Sequence, residues 1–316
     1  MGPDDIPLLW PRMATGGVDN SVIHMLPITM PTGNGGSVYQ GIDGAIVYSR
    51  STDGGETWDP ENLLLDEINV DYYTAISGDT YEIQSEGDVV AFVFGDYFTD
   101  LVLMKSTDGG DTWTKTLIYE TPYSPWDINN MIVTDTFFCS DGTHALAIDN
   151  EGMVHVAFGI NWTYSDGSTS YWYSDVDGLG YWNESRPIFS NTHNALSPYG
   201  DEGTEMVEDY SLVGWAQDID GDGELTWTDD FASYETGFTS QPTIHVDDQG
   251  RIFLLYASLT ETFSNGIQNF RHIWGRSAVN NGEWWGPHTD LTADLVHIFD
   301  ECVFPSMSHT SDDYLY

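Results

Sequence analysis

Short apolar runs alternate with polar turns along the whole chain. Examples are "AIVYSR" at 45–50, "VVAFVFGD" at 89–96, "MVHVAFGI" at 153–160 and "RIFLLYAS" at 251–258. Each run has the length of a strand and is rich in β-branched and aromatic residues, and none shows sustained helical periodicity. Clusters of Gly, Asp and Asn separate the runs, as is typical of turns. The pattern predicts an all-β protein.

One acidic, glycine-rich phrase recurs. "STDGGETWDP" at 51–60 returns as "STDGGDTWTK" at 106–115, and weaker copies read "DVDGLGYW" at 175–182 and "AVNNGEWW" at 278–285. Aligned on their last tryptophan, the four copies end at Trp58, Trp113, Trp182 and Trp285. A repeat on this scale indicates an architecture built from copies of one supersecondary unit.

Two further echoes define the repeating unit. An Asp-x-x-Gly turn precedes a strand at both 149–159 and 247–257, and a proline stands two places before an apolar residue in "WPRMA", "QPTIH" and "FPSMS". Four antiparallel strands in roughly 45 to 55 residues make one blade of a β-propeller, whose sheets stack because none buries both faces alone. We therefore predict a single propeller over 1–316. Its blades are expected at about 8–65, 68–122, 140–192 and 205–292, with a partial blade from 300 and an insertion at 195–238.

The charge balance excludes some classes of binding partner. The chain has 51 acidic and 8 basic residues, for a formal net charge of −43. Such a surface repels nucleic acid and anionic membranes and attracts divalent cations. No apolar run is long enough to span a bilayer, and the start "MGPDDIPLLW" lacks the pattern of a signal peptide. We expect an extracellular or cell-surface protein whose export signal is removed, or a fragment of a longer chain.

The repeated phrase fits a hairpin turn. Asp53 can accept hydrogen bonds from turn amides, Gly55 permits a positive φ, and Trp58 can cover the hairpin. The phrase resembles the Asp-box, or BNR repeat, of sialidase-like β-propellers, including those of proteins exported by Bacteroidota. The resemblance implies a structural role for the turns and six blades in a full protein. The two full matches comprise Ser51, Asp53, Gly55, Thr57 and Trp58, and Ser106, Asp108, Gly110, Thr112 and Trp113.

The same resemblance raises the possibility of sialidase chemistry. It implies three arginines around the substrate carboxylate and a tyrosine nucleophile activated by glutamate, because a fixed cationic fork suits a carboxylate. Arg12 lies near the place where the family carries its Arg-Ile-Pro motif, although here the proline precedes the arginine. Arg271 in "NFRHIWGRS" is the other candidate, and no complete triad is evident. The catalytic residues therefore stay unassigned.

A calcium loop is predicted inside the insertion. "DIDGDGELTWTDD" at 218–230 follows the D-x-D-x-D-G spacing that places oxygen ligands around a hard divalent ion. The alternative is an acidic, solvated loop without an ion. The predicted ligands are Asp218, Asp220, Asp222, Glu224 through its carbonyl, Thr226 and Asp229. The two cysteines, Cys139 and Cys302, lack metal-site spacing, and their redox state is left open.

The aromatic loops suggest the function. "GINWTYSDGSTSYWYSD" at 159–175 and "NNGEWWGPHTD" at 280–290 carry Trp and Tyr rings that can stack on sugars or pack between blades. We predict a calcium-stabilised binding, adhesion or structural module for glycan or extracellular protein partners. The alternative is an exo-sialidase, and a third possibility is a structural component that self-associates through blade edges.

Overall fold

The computed structural model describes residues 2–192, 196–198, 210–227, 230–297 and 299–308. Antiparallel strands dominate these residues, with only three short 3-10 turns and no α-helix among them. The turns are Pro3–Asp5, Thr32–Asn34 and Asp66–Ile68. No helix in these ranges has the length and apolar character needed to cross a membrane. The all-β prediction is confirmed.

The strands form four sheets that follow one another along the chain. The first sheet contains β1 (Leu8–Gly16), β2 (Val22–Thr29) and β3 (Ser49–Ser51). The second contains β4 (Tyr81–Glu86), β5 (Val89–Phe94), β6 (Leu101–Ser106) and β7 (Thr114–Tyr119). The third contains β8 (Phe137–Ile148), β9 (Val154–Ser165), β10 (Ser170–Tyr173), β11 (Leu179–Asn183) and β12 (Leu212–Gly214). The fourth contains β13 (Thr239–Val246), β14 (Ile252–Ser264), β15 (Asn269–Val279), β16 (Trp284–Trp285) and β17 (Thr289–Asp290).

The sheets are arranged as propeller blades. The first strands of successive sheets lie against one another, β1 on β4, β4 on β8 and β8 on β13. A cavity of about 220 Å³ lies where β4, β8 and β13 meet residues 305–307. Sheets that share a central cavity through their first strands are radial blades, and the β-propeller prediction is confirmed.

Apolar side chains fill the spaces between neighbouring sheets. In β5, Phe92 faces the core shared with the first sheet, whereas Val93 faces the core shared with the third sheet. Because successive side chains point to opposite faces of a strand, a blade covered on both sides needs a continuous apolar run. This requirement explains "VVAFVF". A separate core of the same kind joins the third and fourth sheets.

Two of the proline echoes lie at β-bulges in the inner strands. The strand pairing shifts register between Leu9 and Arg12 and between Ser240 and Thr243, which is the sign of a β-bulge, and a third shift lies between Ser140 and His144. Trp10, Gly142 and Gln241 in these bulges have positive φ, as do Asp79 before β4 and Phe304 before the third proline echo. Asp79 and Gly142 lack the following proline, so sequence comparison missed these two positions.

Two sequence assignments need correction. The copy "DVDGLGYW" at 175–182 is not a turn after a third strand, because Trp182 lies within β11, the third strand itself. The predicted boundary near 205 also fails, because β12 pairs with β11 and completes the third sheet. The fourth sheet starts at Thr239. Residues 195–238 are therefore an insertion only in part, since they include the outer strand of the third blade.

Candidate functional site

The two repeated turns use their polar groups internally. Asp53 accepts hydrogen bonds from the Thr57 amide at 2.8 Å, the Thr57 hydroxyl at 2.6 Å and the Ser51 hydroxyl at 2.8 Å. Asp108 accepts the equivalent bonds from Thr112 and Ser106. The bonds from Thr57 and Ser51 lower the pKa of Asp53 to about 2. Each carboxylate thus braces its own turn.

The second turn also packs on the neighbouring blade. The Trp113 ring meets the Tyr48 ring edge-on, with centroids 5.0 Å apart. Arg50 Nη1 donates to the Gly109 carbonyl at 2.8 Å. A Cβ on Gly110 would lie 2.0 Å from the Tyr48 hydroxyl, so only glycine allows this approach.

The turn of the fourth sheet contacts the third sheet in the same way. Trp285 meets Tyr181 edge-on at 5.1 Å, and Arg186 Nη2 donates to the Gly282 carbonyl at 3.0 Å. The Tyr181 hydroxyl lies 2.8 Å from His155 Nδ1. The Tyr48 hydroxyl has the matching distance to His24 Nδ1. Recurrence at two blade junctions identifies these contacts as structural.

Three of the predicted metal ligands come together. Carboxylate oxygens of Asp218, Asp220 and Asp222 lie within 4.8 Å of one another, and all three residues are exposed. Asp218 accepts from the amides of Gly221 at 2.6 Å and Gly223 at 2.9 Å, which curls the backbone around its carboxylate. The cluster could hold a metal ion. Asp229 lies outside the described residues.

A buried glutamate ties this loop to the fourth sheet. Glu261 in β14 accepts from the Ile219 amide at 2.9 Å and from the Thr226 amide at 2.8 Å. The Thr226 hydroxyl donates to the same carboxylate at 3.0 Å. Burial raises the pKa of Glu261, but these hydrogen bonds outweigh it and hold the pKa below its usual value. Thr226 is therefore committed to Glu261, while the Glu224 amide donates to Asp222 at 2.9 Å.

The two candidate arginines do not meet. Arg12 forms an ion pair with Asp79 at 2.6 Å and approaches Glu82 at 3.8 Å beside the central cavity. Arg271 is buried, and its guanidinium donates to the carbonyls of Ala232 and Gly237. Burial raises the pKa of Glu82 to about 7, against the opposing effect of Arg12. The other four arginines also have partners within the protein, among them Gly109, Gly282, Asp247 and Val213.

An aromatic pocket, here called pocket A, shares no lining residue with the central cavity. It has a volume of about 190 Å³ and is formed by the loops after β3, β5 and β7 together with β10. Trp172 and Tyr97 stack with parallel rings 5.6 Å apart, and Trp126 stacks on Phe98 at 4.2 Å. Trp172 is 39% exposed, so part of its ring is open to a ligand. The described residues that line the pocket include no Lys or Arg, and the Lys115 ammonium lies 4.1 Å from the centre of the Tyr72 ring at its wall.

Two buried aspartates line pocket A. Asp100 accepts from the Thr121 amide at 2.9 Å and from the Ser124 hydroxyl at 2.7 Å. Burial raises the pKa of Asp96, and hydrogen bonds from Ser77 and Thr99 only partly offset this. Asp96 and Asp100 flank the tight β5–β6 loop, and both are less than a tenth exposed. The pocket thus combines aromatic faces with two carboxyl groups.

One polar group in the wall of pocket A is unpaired. Tyr73 is 4% exposed, and its hydroxyl has no hydrogen-bond partner among the described residues. Burial raises the pKa of Tyr73, and the Asp100 carboxylate adds to the effect. An unpaired buried hydroxyl costs about 1–3 kcal/mol. The hydroxyl hydrogen can turn about the Cζ–O bond, so an oxygen of a ligand at this wall could supply the missing partner.

The sequence analysis identified only part of this pocket. Of the two aromatic segments named from the sequence, the first supplies Trp172 to the pocket. The second supplies Trp285 to the core and leaves Trp284 65% exposed in the short strand β16. Asp96 and Asp100 were missed. Their signal was "GDYFTD" at 95–100, in which two aspartates flank a pair of aromatic residues directly after a buried strand.

Comparisons with known proteins do not assign a family. No protein-family model and no curated protein matches the sequence. Among solved structures, the polysaccharide lyase Uly1 is 12% identical with a TM-score of 0.46, over 96% of this chain and 63% of its own. Trypanosoma rangeli sialidase is 10% identical (TM-score 0.36, 89% and 38%), and a Cellvibrio cellulosa α-L-arabinanase variant is 11% identical (TM-score 0.31, 91% and 74%). This chain thus spans less than two thirds of the lyase and of the sialidase. All three TM-scores are below 0.5, so these similarities assign neither substrate nor reaction to this chain.

Proposed function

We propose that the protein is a β-propeller that binds neutral glycans in pocket A, as a binding or adhesion module outside the cell. The observation that carries this proposal is the pairing of the Trp172–Tyr97 stack with Asp96 and Asp100 in one pocket. The C–H face of a sugar ring packs on aromatic faces, and its hydroxyls need hydrogen-bonding groups at the edges. Carboxylates serve as strong acceptors for those hydroxyls.

The charges favour a neutral sugar over an acidic one. Two carboxyl groups and, among the described residues, no cation line pocket A, and the chain as a whole carries a formal net charge of −43. The Lys115 ammonium lies beside the pocket but packs against the Tyr72 and Tyr73 rings. A sialic or uronic acid carboxylate would enter a field of its own sign. Each arginine already has a partner within the protein, so the arginines form no cationic fork for a sugar carboxylate. The resemblance to sialidases therefore extends to the architecture in this proposal and not to the substrate.

The binding test is titration calorimetry with neutral hexasaccharides of the cello-, manno- and xylo- series. We expect at least one to bind, and Trp172→Ala to weaken it by at least about tenfold, because aromatic anchors dominate binding energy. Trp284→Ala is the matched control, since Trp284 is more exposed and lies in the short strand β16 outside the pocket. Binding to none of the three series, or equal binding by the Trp172 variant, contradicts the proposal.

A second candidate function is glycoside hydrolysis in the same pocket. The observation that favours it is the presence of two carboxyl groups in one pocket in different surroundings, because burial raises the pKa of Asp96 whereas Asp100 accepts hydrogen bonds from Thr121 and Ser124. Glycoside hydrolysis uses a pair of carboxyl groups, one of which acts as the general acid. Release of reducing ends from a bound hexasaccharide, lost in Asp96→Asn, would establish hydrolysis. A ligand recovered intact after long incubation would establish binding alone.

We also propose that the aspartate cluster binds Ca²⁺. Clustered carboxylate oxygens on a tightly turning backbone suit a hard divalent ion. Asp218, Asp220 and Asp222 would hold it, with the Glu224 carbonyl and Asp229 as further ligands predicted from the sequence. Glu261 would keep the loop folded before the ion arrives. The ion would order the connection between the third and fourth blades and take no part in glycan recognition.

A further inference from the structure

A second pocket, here called pocket B, adjoins pocket A. Pocket B has a volume of about 570 Å³ and is lined by Tyr123, Asp135, Phe137, Trp162 and Asn191 among others. Tyr123 faces pocket B, while the next residue, Ser124, faces pocket A. The two cavities are therefore separated by little more than one stretch of chain.

The wall between the pockets is aromatic. Phe98 on the side of pocket A meets Phe137 on the side of pocket B edge-on, with centroids 5.4 Å apart. Trp126 stacks on Phe98 at 4.2 Å, and the Tyr123 ring lies 5.4 Å from Phe137. Phe98 and Phe137 are almost fully buried, so close packing holds both rings in place between the cavities.

Pocket B repeats the chemistry of pocket A. The Trp162 ring stacks on Phe138 at 5.3 Å, with the two planes within 6°. The Trp162 Nε1–H is buried and has no acceptor within the described part of the chain. Asp135 and Asn191 provide exposed polar groups, and the described residues that line pocket B include no Lys or Arg. Each pocket thus offers aromatic faces, acceptors for hydroxyls and one unpaired donor.

The size of pocket A limits what it can hold alone. Its volume of about 190 Å³ is smaller than the roughly 300–1,000 Å³ of typical ligand sites, whereas pocket B lies within that range. One small unit fits pocket A, and the remainder of a larger ligand needs an adjoining space with the same character.

We propose that a linear neutral oligosaccharide occupies both pockets and crosses the aromatic wall between them. This inference rests on the proposed glycan binding and names its ligand class as a chain and not a single sugar. Successive sugar rings would contact Trp172 in pocket A and Trp162 in pocket B, with Trp126 and Tyr123 beneath the linkage between them.

The test is the dependence of affinity on chain length. Calorimetric Kd values are measured for one to six sugar units of the series whose hexasaccharide binds best. We expect the Kd to fall at least tenfold between the monosaccharide and the hexasaccharide. Trp162→Ala should weaken hexasaccharide binding at least fivefold and leave monosaccharide binding unchanged.

A second variant covers the case in which Trp162→Ala disturbs the sheet. Asn191→Ala removes an exposed side chain of pocket B and should weaken the hexasaccharide at least twofold without changing the melting temperature. A hexasaccharide that binds no tighter than the monosaccharide overturns this inference while leaving glycan binding in pocket A intact. Loss of all binding in Trp172→Ala, with an unchanged Kd in both pocket B variants, overturns it equally. Absence of any binding by the unaltered protein instead refutes the proposed function itself.

Discussion

Trp113 meets Tyr48 edge-on across the junction between the first and second blades, with ring centroids 5.0 Å apart and planes at 75°. Trp285 and Tyr181 repeat the geometry, at 5.1 Å and 75°, two junctions further round. The repeated sequence motif therefore joins neighbouring blades. Its tryptophan packs on a tyrosine of the preceding sheet, and that tyrosine is held by a histidine.

Removing this ring should loosen the blade junction. We expect Trp113→Ala to lower the free energy of unfolding by about 3 kcal/mol, because the ring packs on both Tyr48 and Phe92. Urea denaturation measures the change. Trp284→Ala, at a largely exposed site, should cost less than about 0.5 kcal/mol. Equal losses in the two variants would show that the Trp113 contact is not a structural one.

The close approach at Gly110 gives a second test of the same junction. Gly110→Ala should destabilise the protein by more than about 2 kcal/mol, since its Cβ would lie 2.0 Å from the Tyr48 hydroxyl and its φ is +93°. Gly109→Ala is the matched control, because its φ is also positive but its Cβ would meet nothing within 4 Å. It should lose only about 1 kcal/mol, the cost of the backbone conformation. Thermal unfolding of both variants checks the difference, and the reverse order would contradict the packing.

Glu82 beside the central cavity should make stability depend on pH. Its pKa is about 7 when folded, against an ordinary 4.5, so the folded protein holds a proton that the unfolded chain releases. The contribution of Glu82 to the free energy of unfolding is fully present below about pH 4.5 and is lost as the pH rises through about 7. Because a third of the side chain is exposed, we expect a loss of about 1–2 kcal/mol. Glu82→Gln should remove it.

The control for this effect is Glu86→Gln, an exposed glutamate at the end of the same strand. Urea unfolding at pH 5 and pH 8 measures the difference for each protein. The Glu86 variant should keep the pH dependence of the unaltered chain. If the Glu82 variant keeps it as well, Glu82 is ionised in the folded protein.

Substitution of Tyr73 should change the stability of the free protein and its affinity for glycan in opposite directions. Tyr73→Phe removes a buried hydroxyl that has no partner, so we expect the free protein to become more stable by about 1 kcal/mol. The same variant should bind the glycan several-fold more weakly if the hydroxyl turns to the ligand. Denaturation and calorimetry on one preparation check both signs. A variant that is less stable in the absence of ligand would mean that the hydroxyl is paired in solution.

The aspartate cluster should respond to calcium. At free Ca²⁺ one hundredfold above its Kd, we expect a stabilisation of about 2.7 kcal/mol, measured as a rise in melting temperature over the protein in chelator. Asp218→Asn should abolish the rise, because it removes a ligand charge and one of the two oxygens that accept from Gly221 and Gly223. Asp248→Asn, an exposed aspartate elsewhere, should leave it unchanged. An undiminished rise in the Asp218 variant would place the ion at another site.

Patterns that recur along the chain could be predicted from the sequence, because each blade obeys the same constraints. The strand runs, the turns around Asp53 and Asp108 and the proline echoes that begin at Trp10, Gln241 and Phe304 belong to this class. The alignment on tryptophans was wrong at Trp182, because the sequence does not distinguish a tryptophan buried between blades from one that covers a turn.

The aromatic pocket could not be predicted in the same way. Asp96 and Asp100 come from one loop, Trp126 from another and Trp172 from strand β10, and no other described blade repeats them. Their meeting depends on how the loops of three sheets converge, which local spacing does not encode. The two candidate arginines are the opposite case, in which the sequence suggested site residues that the structure does not bring together. Sequence context selected Arg12 and Arg271, but each is paired with another group of the protein.

The most direct test of the account is a crystal structure of the protein with its best-binding neutral hexasaccharide. The account predicts a sugar ring in pocket A against the open part of Trp172, with hydroxyls directed to Asp96 or Asp100, and further rings running across the aromatic wall toward Trp162. A sugar bound instead in the central cavity beside Arg12 and Glu82, with pocket A empty, would contradict it.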